Sequence, residues 1–216
     1  MRITIIGAGN MARGIATRAL AGGHTVTLTG KDPAKAARLA EELSAQAAGD
    51  AAVRAGDDSA VDPAELVVMA VPFAAAKELT ASLGARLSGK VLVDISNPVD
   101  ASLEALVVAP GTSAAEEIAG AAAPGTRVVK AFNTTFATTL VTGQVGGTAL
   151  DVFIAGDDEP ARKQVAQLVT SGGLHAVDVG ALRHARELEG LQLLHMALQL
   201  SEDGYGWAST VKIVAP

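Results

Sequence analysis

The chain has 216 residues, 49% of them apolar, no cysteine, and a formal net charge of -6 from 17 Lys and Arg against 23 Asp and Glu. That size holds one large domain, or one domain and a small lobe, with ample apolar content for a core. The missing cysteines exclude disulfides, thiol catalysis and thiolate-bound metal. The acidic balance, with one Trp, one Tyr and four Phe, argues against nucleic acid or an anionic membrane as partner. Apolar runs are short and interrupted, so neither a leader peptide nor a membrane span is expected, and a cytoplasmic enzyme is the default.

Met1 to Gly14, MRITIIGAGNMARG, sets the frame. An apolar run ends in Gly7, Gly9 and Ala12, which reads as a buried strand, a tight turn and a helix start in the G-x-G-x-x-A spacing of a dinucleotide site. Gly7 supplies turn dihedrals, Gly9 lets the backbone approach a pyrophosphate, and Ala12 lets helix and strand pack closely. The amides of Gly9, Asn10 and Met11 are expected to face the phosphates.

A second parallel strand, His24 to Thr29, leads to a helix opening at Asp32-Pro33. An acidic residue at this strand end favours NAD, whereas a 2′-phosphate needs donors and positive charge. Here Thr29, Gly30, Lys31 and Lys35 favour NADP, and Asp32 is the one residue able to reverse that preference if it turns inward. Ala51 to Ala55 and a turn near Asp57 to Ala60 precede a fourth strand, Leu66 to Val71, apolar throughout as a strand covered on both faces should be. The loop after it, Ala70, Val71 and Pro72, is expected beside the cofactor, with Phe73 either a wall or a core residue.

The fifth strand, Val91 to Ile95, ends in Ser96 and Asn97, at the carboxyl edge where doubly wound sheets bind ligands. Thr112 is expected to cap a helix ending near Gly120. A sixth strand, Thr126 to Lys130, leads to Asn133, whose amide suits either the nicotinamide end or a structural turn. Strands at 151–155 and 174–178 flank a helix from Glu159 to Ser171. The last helix, about 181–201, carries a wide arc of Leu188, Leu191, Leu194 and Leu198 with Leu193, Met196 and Leu200 beside it, which predicts a homodimer contact. His195 beside it reads as a satisfied core residue.

The pattern as a whole predicts an α/β, Rossmann-type doubly wound, mostly parallel sheet. Residues 1–145 would form the NADP-binding domain and 146–216 a small C-terminal α/β lobe with the long helix and a substrate cleft. No Ser-His-Asp, Ser-Tyr-Lys, metal or paired-carboxylate arrangement can be drawn. No catalytic side chain is therefore assigned, Lys130 and Asn133 being the candidates. Hydride transfer between two bound rings needs little else than their placement with water excluded.

GAGNMARG, HTVTLTGKDPAKA, VPF, DISNPVD, VVKAFNT, VFIAGDD and GALRHARELEGLQLLHMA resemble, in that order and over nearly the whole chain, the NADPH-dependent reductases of the deazaflavin coenzyme F420. KAFN also resembles the NADPH-binding cytosolic domains of membrane ferric reductases. The resemblance implies a pyrophosphate on Ala8, Gly9, Asn10 and Met11, and a 2′-phosphate on Gly30, Lys31 and Lys35. It implies a nicotinamide lined by backbone near Val71, Asn97 and Ala137. Gly30-Lys31 stands where the family usually has Ser-Arg, so a hydroxyl and a bidentate fork are missing, and Thr29 is a possible replacement for the hydroxyl. Archaeal members carry His at the position of Asn133. The implied activity is hydride exchange between NADP(H) and F420. The alternatives are reduction of a flavin, quinone or small imine or keto substrate, and a nucleotide-binding module without turnover.

Overall fold

The computed structural model describes residues 1–47, 49–202 and 204–214. In chain order they form β1 (Arg2–Ile6), α1 (Asn10–Ala21), β2 (Thr25–Thr29), α2 (Pro33–Ser44), β3 (Ala52–Ala55), β4 (Leu66–Met69), α3 (Phe73–Leu83), β5 (Val91–Asp94), α4 (Ala114–Ala121) and β6 (Arg127–Lys130). Then come α5 (Ala137–Thr142), a small hairpin of β7 (Gln144–Val145) and β8 (Thr148–Ala149), β9 (Asp151–Gly156), α6 (Glu159–Ser171), β10 (His175–Gly180) and α7 (Ala185–Gln199).

Eight strands make one sheet in the order β10-β9-β6-β5-β4-β1-β2-β3, parallel throughout except where β9 meets β6. Ile5 of β1 lies between Leu28 of β2 and Val68 of β4. From β1 the chain builds outward through β2 and β3, then returns to build the other side from β4. The order thus reverses between β1 and β4, which opens a crevice at their carboxyl ends. This is the Rossmann-type arrangement that the alternation of apolar strands with amphipathic helices predicts. Residues 151–180 continue the sheet beyond β6.

Two apolar layers cover the faces. Ile3, Ile5, Leu28 and Val68 pack with Ile15 and Leu39 on one side, while Ile6, Val67, Met69 and Leu92 pack with Leu87 and Ile118 on the other. β4 and β5 are buried along their whole length, and each large aliphatic side chain so removed from water stabilises by about 1.5–3 kcal/mol. Phe73 packs against the second layer, which gives it a core role. Asp32 caps α2 with Pro33 at its first position, as the sequence predicts. The cap of α4 is Ser113 rather than Thr112: its hydroxyl accepts from Glu116 N (3.1 Å) and donates to the Glu116 carboxylate (2.8 Å).

Helix α7 leaves part of its leucine arc exposed and buries mostly polar groups. Its buried face holds Leu188 but also Glu189, Gln192, His195 and Gln199, while Leu194 is 61% and Leu198 46% exposed. Most of these polar atoms find partners, Gln192 Nε2 being the exception. His195 Nε2 meets Ser209 Oγ at 2.8 Å and Nδ1 meets Gln192 Oε1 at 3.2 Å. Gln199 donates to Ser209 Oγ and accepts from Trp207 N, so residues 207–209 close over this face. His195 is the satisfied interior residue that its position predicts.

Candidate functional site

Two depressions at the strand carboxyl ends share Gly9, Ala70, Val71 and Pro72, and so form one cleft over the β1/β4 crossing point. The near end, about 270 Å³, adds Gly7, Ala8, Gly30, Lys31, Asp32 and Lys35. The far end, about 380 Å³, adds Asn10, Met11, Ile95, Ser96, Asn97, Val99 and Met196.

The near end is shaped by main chain. Gly7 has φ +127° and donates to Thr29 O at 2.8 Å, and a Cβ on it would lie 2.2 Å from Ala70 O. Only glycine fits, which explains the abrupt end of the apolar run. Gly9 caps α1 in extended conformation with no side chain bonded to the first turn, and a Cβ there would meet nothing within 4 Å. The first amides of α1 therefore face an open cradle at the positive end of the helix dipole. Behind it, α1 approaches α5 so closely that a Cβ on Gly14 would sit 2.7 Å from Leu140 Cβ. Gly14 was not singled out from the sequence, although the M-A-R-G spacing carries the signal.

Around the exposed rim, Lys31 and Lys35 line the cleft beside Gly30. Asp32 lines the cleft too, with its carboxylate engaged as the cap of α2, Oδ1 accepting from Lys35 N at 3.0 Å. Thr29 is 1% exposed and stands behind the lining, with its carbonyl on Gly7 and its hydroxyl unpartnered, so it offers the cleft no donor. These residues fit a 2′-phosphorylated dinucleotide: an open helix start for the diphosphate and two ammonium groups at the ribose end.

At the far end Asn97 is held by a reciprocal pair. Its Nδ2 donates to Asn133 O (3.0 Å), and Asn133 Nδ2 donates to Asn97 Oδ1 (3.0 Å) and Leu188 O (3.1 Å). Asn133 is 1% exposed and stands behind Asn97, outside the lining, while Ala137 starts α5 and is also outside it. Phe132 takes φ +62°, a conformation that costs a bulky side chain about 1–3 kcal/mol and that its neighbours impose. The amide and hydroxyl of Thr135 both donate to Phe132 O and pin the turn.

Lys130 does not face the cleft, which corrects the expectation that it could give a proton to a bound ring. Its ammonium is wholly buried and donates to Asp94 Oδ2 (2.8 Å), Glu189 Oε1 (2.7 Å) and Ser96 O (2.6 Å), leaving no N–H free. Glu189 Oε2 accepts from Ala114 N, at the start of α4, at 3.0 Å, and burial pushes the Glu189 carboxyl above the usual range despite Lys130. The sequence places Glu189 away from Glu187 but gives no hint of this pairing. Met196, Ile95 and Val99 were likewise not singled out as lining.

None of the far-end lining residues has an ionisable side chain. Among the described residues no group of three His, Cys, Asp or Glu could hold a metal. No described helix is long and apolar enough to cross a membrane. Sheet and cleft together define a dinucleotide-binding α/β protein whose site ends in a neutral pocket.

Comparison with known proteins narrows that class. Residues 2–98 match the family model described as NADP oxidoreductase, coenzyme F420-dependent. The F420-dependent NADP reductase of Methanothermobacter marburgensis is 29% identical over 211 residues, covering 93% of each chain. A crystal structure of a putative F420-dependent NADP reductase from Arthrobacter sp. FB24 superposes with a TM-score of 0.78 at 31% identity, over 91% of this chain and 92% of that one. Metalloreductase STEAP3 of Rattus norvegicus is 32% identical over 192 residues, and the matched chain corresponds to 36% of its length. The chain belongs to the F420-dependent NADP oxidoreductase family.

Proposed function

We propose that this protein exchanges hydride between NADP(H) and the deazaflavin coenzyme F420 by holding both, with no obligatory acid or base of its own. The observation that carries the reading is the far pocket, lined without an ionisable group and joined to the open start of α1. Gly7 to Met11 would hold the diphosphate, and Gly30, Lys31 and Lys35 the 2′-phosphate. Val71 and Asn97 would border the nicotinamide, with Ala137 beyond them and Asn133 orienting Asn97 from behind. NADPH supplies the hydride when bound. Met11, Ile95, Val99 and Met196 exclude water from the transfer, and a deazaflavin that takes hydride at one ring carbon can leave protonation to solvent.

The exposed Leu194 and Leu198 favour a homodimer built on the outer face of α7, with residues 146–216 acting as the acceptor-side lobe in the cytoplasm. The experiment mixes protein, NADPH and oxidised F420 and follows the visible band of the deazaflavin. Bleaching that depends on protein is expected. Unchanged absorbance across the pH range rejects the reading, and NADPH oxidation with a flavin or an imine instead would favour the alternative acceptors.

A further inference from the structure

The mechanism above makes no use of the buried ion cluster, yet the cluster joins the two halves of the far pocket. Lys130 at the end of β6 holds Ser96 O, and Ser96 and Asn97 form one wall. The same ammonium holds Glu189 of α7, and Met196, about two helical turns further along that helix, forms part of another. Leu188 O, accepting from Asn133, adds a second tie between α7 and the β6 loop. Beyond Ala185 and Leu188 the inner face of α7 is polar, so directed bonds add a register that apolar contact, which tolerates sliding, would not fix alone. A slipped helix would leave a buried carboxylate without its cation.

We infer that Glu189 is a positioning residue for the hydride acceptor: with Lys130 and Asp94 it fixes α7 at the depth where Met196 faces Ser96 and Asn97. The inference rests on reading the far pocket as the acceptor site. The carboxylate acts through α7 and touches no lining residue's ligand face itself, so its removal should widen the acceptor pocket and spare the near end.

Three forms are compared: the unaltered protein, Glu189→Leu and Glu189→Gln. Glu189→Leu should raise the KM for F420 at least about tenfold while the NADPH Kd, titrated separately, stays within about twofold. Glu189→Gln keeps an acceptor for Lys130 but loses the one for Ala114 N, and should restore part of the F420 KM. Trp207, the sole tryptophan, is bonded to Gln199 of α7, so its emission should shift in the Leu form and not in the Gln form. Should Glu189→Leu fail to fold, Glu189→Asp, which keeps the charge but shortens the reach to Lys130, should give the same split at smaller size. Wild-type KM and emission in the Leu form would overturn the inference, as would an NADPH Kd that worsens in step with KM. If the unaltered protein does not bleach F420, the functional reading fails on its own, and the Trp207 and NADPH readouts still decide the role of Glu189.

Discussion

At its near end the cleft is made of main chain: Gly7 folded against Ala70 O, the uncapped amides of α1, and two lysines on an exposed turn. At its far end the lining is held by side chains that never touch the cavity, since Lys130, Asp94, Glu189 and Asn133 are all buried behind it. A main-chain site depends on few residues in one short stretch. A site held from behind depends on pairs drawn from β5, β6, α4 and α7, and it fails when one partner is lost. The two ends should therefore break differently.

The largest effect belongs to the far end. Lys130→Met leaves Asp94 and Glu189 buried without their cation and should cost about 3–5 kcal/mol, lowering Tm by roughly 10 °C or more in a thermal melt. A melt unchanged to within a degree would mean that the cluster is not what seats α7. At the near end the loss should be one of binding. Gly7→Ala drives a methyl into Ala70 O and should weaken NADPH binding at least about a hundredfold, close to 2.7 kcal/mol, by calorimetry. Lys31→Ala and Lys35→Ala should each cost about tenfold in NADPH Kd and leave NADH binding as it was. Equal losses for both nucleotides would remove these lysines from the 2′-phosphate.

Acidity offers a subtler probe of the same contrast. Burial lowers the His195 imidazole, and burial with the adjacent N-terminal ammonium lowers that of His24. For such groups the unfolded chain takes up protons first, so their stability is whole above pH ~6.5 and is lost as pH falls below it. Glu189 has the opposite sign: its raised carboxyl stabilises most below the ordinary Glu range and loses that contribution as pH rises through its folded value. Denaturant midpoints against pH should thus lose one slope in His195→Gln and the other in Glu189→Gln. The smallest effect is a gain. A Cβ at Gly30 would have its nearest neighbour 3.7 Å away, so Gly30→Ser fits and should tighten NADPH binding by a few-fold through one added hydroxyl bond.

The same contrast explains what the sequence made legible. The sheet, the glycine turn and the cap Asp32 are written in short stretches where residue type dictates backbone. Helix α5 and the β7/β8 hairpin left no comparable mark, because ATTLVT is rich in β-branched residues and becomes helical only where α1 packs on it at Gly14. α7 is legible only in part. Its leucine arc is too wide for one packing face and reads as a subunit contact, but nothing in its spacing says that Glu189, Gln192, His195 and Gln199 take the inner face. Apolar spacing finds a helix and cannot say which side of it the fold keeps, since that depends on partners 59 residues away, as in Lys130 with Glu189. Lys130 likewise reads as a free amine at a strand end until those partners are known.

The turn from Gly30 to Lys35 lies on the rim, outside both apolar layers, and α2 needs only its Asp32 cap and Pro33 from it. Coenzyme choice is therefore separable from foldability: a library randomised at positions 30, 31 and 35 could be selected for NAD use without eroding the scaffold, whereas position 7 admits no such exploration.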